Sequence, residues 1–256
     1  MTPREVTPQP INGGTIHQIE HAQTKATLFI PDQIKASQNT PLWVHFHTAD
    51  WFVISEFQRA KLIAPVLTFN LGQGSATYGK PFTSPNTLQP FIASALSHLN
   101  AKKADLHFTS FSAGYGAVRN LIQDPEIISN LKTVILCDSS YAGFSDPVTR
   151  TIQSEHLSVW QPLIDRAIKG QITFVITTSQ ITPNSYASTW EVAQKLVKQN
   201  DGQMEATGNI ATTNNPYPLL STFNKGRWHV WCYDGYDAMA HMVHPRRLAE
   251  IISQIR

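Results

Sequence analysis

Ser112 lies in the pentapeptide Ser110-Phe111-Ser112-Ala113-Gly114, with small residues on both sides of it. The stretch 105–122, DLHFTSFSAGYGAVRNLI, reads as a strand, a sharp turn and a helix. A serine at such a turn has its hydroxyl lifted into solvent, and the helix N-terminus points unpaired N–H groups at it. The pattern is Gly-x-Ser-x-Gly with its first glycine replaced by Ser110. The chemistry it predicts is nucleophilic attack on a carbonyl. That reaction needs a base for the hydroxyl proton, a carboxylate to orient the base, and donors for the oxyanion. Asp138, at the end of the apolar run 131–136, is the candidate acid, with Asp234 and Asp237 as rivals. His241 is the candidate base, with His244 and His229 as rivals. The backbone N–H of Ala113 and that of Thr48 or Ala49 are the candidate oxyanion donors. Trp51, Tyr78, Phe111, Tyr115 and Trp160 are candidate walls of an uncharged, aromatic substrate site.

These residues require a scaffold that sets strand ends beside one another. Segments 42–46, 64–70, 106–111, 131–136, 171–178 and 228–233 read as strands, with 26–30 as an early edge strand. Helical spacing marks 87–102 and 187–199, and a short helix is expected over 56–62. The segment 149–167 reads as mostly helical and interrupted by Pro162, while 234–241 reads as a loop before a C-terminal helix starting at His244-Pro245. Strands alternating with helices imply an α/β fold with a parallel sheet, which places functional residues just beyond the strands' C-terminal ends. Residues 1–14 read as an irregular arm. No linker divides the chain, so 1–256 is expected to be one domain, with 149–168 and 200–223 as candidate lid or specificity insertions.

Charged residues make up 15% of the chain and the formal net charge is +2. That field is too weak to predict a nucleic-acid partner, and no apolar run is long enough to predict a membrane span. The N-terminus has no apolar signal-peptide core, which suits a cytoplasmic protein or a secreted one whose leader has been removed. Cys137 and Cys232 sit in apolar runs and are expected to be buried thiols. His45 and His47 alternate on a strand, and 238–244 lacks the His-Glu-x-x-His pattern, so no metal site is expected.

The loop HFHTADW, the elbow SFSAG, the segment DSSYAG and the late His241 together resemble the α/β-hydrolase superfamily on its serine esterase and lipase side, over roughly residues 40–255. The resemblance implies a mostly parallel sheet of about eight strands wrapped by helices, and hydrolysis of a small-molecule ester through an acyl-enzyme without a cofactor. It implies Ser112 as nucleophile, Asp138 as acid and His241 as base, with Ala113 and either Thr48 or Ala49 forming the oxyanion hole. The acid would come one strand earlier than its commonest place, because no carboxylate directly follows the strand ending at Thr178. Two departures stand out: Ser110 at the elbow, and an oxyanion loop His47-Thr48-Ala49 without glycine. A peptidase or amidase would use the same triad, and a non-catalytic binding protein could share the same fold.

Overall fold

The computed structural model describes residues 10–35 and 37–256. Most of the expected N-terminal arm lies outside the described residues. In chain order the strands are β1 (Gly14–His21), β2 (Thr24–Pro31), β3 (Asn39–Phe46), β4 (Val66–Phe69), β5 (Lys103–Phe111), β6 (Leu131–Cys137), β7 (Phe144–Asp146), β8 (Thr151–Ile152), β9 (Thr173–Thr178), β10 (Glu205–Ala206), β11 (Leu219–Lys225) and β12 (Trp228–Tyr233). The helices are α1 (Asp50–Arg59), α2 (Ser75–Gly79), α3 (Gln89–Leu99), α4 (Tyr115–Leu121), α5 (Pro125–Asn130), α6 (Ser154–Ser158), α7 (Gln161–Ile168), α8 (Thr189–Gln199), α9 (Ala238–Arg246) and α10 (Leu248–Ile255). The central sheet is mixed and flanked by helices, an α/β architecture, and β7 and β8 form a separate hairpin.

The chain forms two compact units: the described residues up to Val134 with Arg247–Arg256, and Ile135–Arg246, the division falling inside β6. In the first unit the strand order is β1-β2-β4-β3-β5. β4, β3 and β5 pair in parallel, and β1 and β2 form an antiparallel hairpin at the edge. Apolar side chains on both faces of the parallel strands (Leu42, Val44, Phe46, Val66, Phe69, Phe108) are buried, as expected of a sheet covered on both sides. Helix α10 packs on α1, where the Glu56 carboxylate accepts from the Ala249 N–H at 3.2 Å and meets Arg59 at 2.6 Å.

In the second unit the order is β9-β12-β11-β10. β12 pairs with β9 in parallel, and β11 and β10 continue antiparallel. β1 lies at the sheet edge of the first unit and the short β10 at the edge of the second. Helix α8 starts with a complete capping box, in which the Ser188 hydroxyl accepts from the Glu191 N–H and the Glu191 carboxylate accepts from the Ser188 N–H. Pro162 lies in the first turn of α7, where its missing N–H costs nothing, so it starts a helix instead of interrupting one. The segment 200–223 contains β10 and the beginning of β11. No helix among the described residues is long and apolar enough to cross a membrane.

Candidate active site

In the first unit, β5 runs into a single 3-10 turn at Ser112–Gly114 and then into α4. Ser112 has φ of +46°, the left-handed region, which costs an L-residue about 1–2 kcal/mol. Such strain in a non-glycine residue persists where the surroundings over-determine it, and it is concentrated at functional sites. The turn is tight because its neighbours are small. A Cβ added to Gly114 would fall 2.3 Å from the Phe46 carbonyl oxygen at the end of β3, and one added to Gly116 would fall 2.2 Å from the Ser75 carbonyl oxygen. Ser110, at the first position of the elbow pattern, is completely buried and its small side chain fits inside the sheet.

The loop after β3 is held by a chain of side-chain hydrogen bonds. His47 adopts φ of +70°, turning the backbone out of the strand. The Thr48 hydroxyl donates to the His47 carbonyl, and the His45 Nε2 lies 2.7 Å from that hydroxyl oxygen. Since the hydroxyl proton is committed to the carbonyl, Nε2 supplies the proton of that contact, and Nδ1 accepts from Thr109 Oγ1 at 2.7 Å. Burial pushes the His45 imidazole down to about 3, so it is neutral, as this chain requires. The His47 ring stacks on Phe111 at 5.8 Å, and its Nδ1 lies 2.9 Å from the Tyr78 hydroxyl. At the far end of the loop, Asp50 opens α1 and accepts from Thr27 and Thr68, each at 2.7 Å. Ala49 is the N-cap residue of α1. The loop carrying Thr48 and Ala49 is therefore anchored to β2, β4 and β5.

In the second unit, Asp138 follows β6 with φ of +45° and is completely buried. Its Oδ1 accepts from the Ser179 N–H at 3.0 Å and from the Thr189 hydroxyl. Its Oδ2 accepts from the Ser179 hydroxyl at 2.7 Å and lies 2.6 Å from His241 Nδ1. Burial by itself would raise this carboxyl. The His244 and His241 imidazoles and the Thr189 hydroxyl outweigh it and hold the group well below the usual carboxylate range. A neutral imidazole bound through Nδ1 to a carboxylate carries its proton there, which leaves Nε2 as the basic nitrogen.

His241 stands in the first turn of α9, where a loop was expected, and His244-Pro245 lies inside that helix instead of starting the C-terminal one, which is α10. Asp237 starts that helix, its Oδ1 accepting from the Ala240 N–H at 2.8 Å, and the Tyr217 hydroxyl donates to the same carboxylate at 3.0 Å. The Asp234 carboxylate accepts from the Gly235 N–H at 2.8 Å. The carboxylate bonded to His241 is thus Asp138, while Asp237 and Asp234 serve local backbone. His244 is fully buried, with Nδ1 2.8 Å from the Thr177 hydroxyl, and His229 pairs with Asn224 at 2.6 Å.

The aromatic candidates fall in different settings. Phe111 stacks on His47, Tyr78 is buried with its hydroxyl beside His47, and Trp51 lies edge-on to Phe52 in α1. Tyr115 lies under the Arg119 guanidinium at 5.1 Å. Trp160 is a core side chain, 1% exposed and stacked on Phe174 at 6.2 Å. Its length of apolar surface is used in packing, which the sequence could not distinguish from a cleft wall. Sequence reasoning missed Ser179 and Thr189, which hold Asp138, and Tyr141, whose ring lies 6.4 Å from that of His241. Both cysteines are buried free thiols. Among the described residues, no group of three or more His, Cys, Asp or Glu side chains is placed to hold a metal ion.

No family model and no curated protein sequence matches the chain. Among solved structures, an esterase of Pyrobaculum calidifontis is similar at 12% identity and TM-score 0.51, with 96% of this chain and 84% of that one covered. An S-formylglutathione hydrolase from Agrobacterium tumefaciens is similar at 13% identity and TM-score 0.53, with 98% and 97% covered. An arylesterase gives 11% identity and TM-score 0.53, with 99% and 87% covered. These neighbours are hydrolases of the α/β-hydrolase superfamily, and the chain has the α/β-hydrolase fold.

Proposed function

We propose that this protein is a serine hydrolase cleaving carboxylic esters, with Ser112 as nucleophile, His241 as base and Asp138 as acid. The observation that carries the reading is the strained backbone of Ser112, φ +46°, between a parallel strand and a helix. A serine on a strand-to-helix nucleophile elbow needs that conformation, which lifts its hydroxyl out of the turn. The Asp138–His241 contact supports it, because it fixes the imidazole in the tautomer a general base requires. The fold neighbours support it as well, since they include esterases.

In this mechanism His241 Nε2 takes the Ser112 hydroxyl proton as Oγ bonds to the ester carbon. The N–H of Ala113 and that of Thr48 or Ala49 hold the oxyanion. As the ester C–O bond breaks, the imidazolium returns the proton to the leaving alcohol. Water then repeats the sequence on the acyl-enzyme and releases the acid. Every proton passes through the same nitrogen: from Ser112 to the alcohol in the first half, and from water back to Ser112 in the second.

Treatment with a fluorophosphonate, followed by intact-mass measurement, tests the assignment. One adduct per chain, located on Ser112 and lost in Ser112→Ala, is the expected result. Folded wild-type protein that stays unlabelled, or a Ser112→Ala variant that still turns over esters, would overturn it.

A further inference from the structure

We infer that Tyr141 and Tyr186 form a platform for an aromatic ring in the alcohol half of the ester, an inference that rests on the function proposed above. The two rings meet edge to face, with centroids 5.5 Å apart at 84°, and the Tyr141 ring is in turn 6.4 Å from the His241 imidazole at 67°. Tyr186 is 44% exposed and stands one ring away from His241, the partner of the completely buried Asp138. His241 itself is partly accessible, at 20% of its side chain.

The platform is rigidly mounted. Tyr141 lies three residues after Asp138, and Tyr186 three before Thr189. The two segments run past each other and are tied at both ends. At one end the Thr189 hydroxyl donates to the Asp138 carboxylate. At the other, Ala142 and Ala187 exchange backbone hydrogen bonds of 3.3 and 2.8 Å as an isolated antiparallel bridge. The bonds that hold Asp138 thus bracket Tyr141, and the same bridge anchors Ala187, the residue next to Tyr186. A rigid aromatic surface on such a frame costs little entropy when a ligand ring settles on it.

The side of the ester is set by the chemistry. His241 hands its proton to the leaving alcohol, so the group nearest the imidazole when the C–O bond breaks is the alcohol, not the acyl chain. The substrate class that follows is an ester whose alcohol portion carries an aromatic ring.

The test compares benzyl acetate with cyclohexylmethyl acetate, whose alcohols differ little in leaving ability. A merely greasy surface would favour the cyclohexyl compound, which has the larger apolar area, so the sign of the preference is informative. The expected result is a kcat/KM preference of about three- to tenfold for benzyl acetate. Tyr186→Ala should abolish it and Tyr186→Phe should retain it. The matched acyl pair, ethyl phenylacetate and ethyl cyclohexylacetate, should respond to neither substitution. A preference for the cyclohexyl ester, a benzyl preference that survives Tyr186→Ala, or a Tyr186-dependent change confined to the acyl pair would overturn the inference.

Binding of benzyl alcohol, followed by ligand-observed NMR on the wild type and on Tyr186→Ala, separates this failure from failure of the function itself. Selective, Tyr186-dependent binding by a protein that hydrolyses no ester would sustain the platform and overturn the esterase. Ester hydrolysis without such binding would do the reverse.

Discussion

Replacing Asp138 by Asn is isosteric, and the structure dictates which way the new amide must lie. The donors around the carboxylate are the Ser179 N–H at 3.0 Å and the Thr189 hydroxyl on Oδ1, and the Ser179 hydroxyl at 2.7 Å and His241 Nδ1 at 2.6 Å on Oδ2. An amide NH2 in the Oδ1 position would face the Ser179 backbone N–H, a donor that cannot reverse. In the Oδ2 position it faces a hydroxyl and an imidazole, both of which can turn acceptor. The amide therefore settles with its NH2 toward His241, forces Nδ1 to accept, and moves the imidazole proton to Nε2, the nitrogen that receives the Ser112 proton in the mechanism proposed above. A base locked in the wrong tautomer loses about 10³–10⁴ in kcat, or about 4–5.5 kcal/mol of barrier. Folding stability should fall by a further ~1.5–3 kcal/mol, because charge-assisted bonds become neutral ones. Steady-state kinetics on an activated ester, together with thermal melting, would measure both effects. Asp237→Asn is the control: it keeps the acceptor for the Ala240 N–H, loses only the negative charge at the start of α9 at a cost of about 0.3–1 kcal/mol, and should leave kcat within severalfold of wild type. If Asp138→Asn kept kcat within tenfold while Asp237→Asn lost it, the assignment of the acid would be refuted.

Gly114→Ala should be among the most damaging single-methyl additions in the chain, since the new Cβ would meet the Phe46 carbonyl oxygen at 2.3 Å. A loss of at least ~2–3 kcal/mol in denaturant unfolding is expected, and a variant as stable as wild type would show that the elbow is looser than described. Stability should also decline on acidification well above the carboxylate range. Burial lowers His45 from 6.5 to about 3 and His107 from 6.5 to about 4. Between those values and 6.5 the unfolded chain binds protons that the folded chain does not, so stability rises with pH across that window and is lost as pH falls from 6.5. Asp138, held low in the folded state, adds stability above the ordinary carboxylate pKa that disappears at still lower pH. Melting curves from pH 7.5 to 5 should show the histidine slope, and His45→Gln should flatten it; an unchanged slope would count against a neutral buried His45.

The strands and helices nearest the chemistry were legible because they follow simple rules. The run Val134–Cys137 is apolar and buried, and the small residues after Ser112 mark a close approach that Gly114 and Gly116 make. The edges were not legible, for physical reasons. β1 is half polar, and its hairpin turns through Ala22 and Gln23 at φ of +46° and +68°, without the Asn or Gly that usually signals such a turn. β11 (LLSTFNK) is partly exposed and follows a stretch of Asn and Pro, so it lacks clean alternation. Helix α1 begins at Asp50 because that carboxylate is bonded to Thr27 and Thr68, partners far away in sequence. Helix α9 carries two histidines and Pro245 and has no apolar face to read. Its position depends on Asp237, which caps it, and Tyr217, which braces the cap.

The proposed acid, Asp138, shows most clearly where sequence reasoning ends. The chain places no carboxylate directly after the strand ending at Thr178, which looks like an omission when the strand is read alone. In three dimensions that position is Ser179, and both its N–H and its hydroxyl are given to Asp138. Thr189, at the start of α8, donates a third bond to the same carboxylate. The strand without the acid thus supplies much of the shell that lets the acid from the preceding strand stay ionised while completely buried. A buried carboxylate without such donors would be driven to protonate, and a protonated Asp138 could no longer stabilise an imidazolium at His241. Keeping a carboxylate buried and ionised at the end of one strand is therefore a coupled requirement: the strand end beside it must supply donors. Asp138 and Ser179 are 41 residues apart, so that coupling becomes visible only when the fold brings them together.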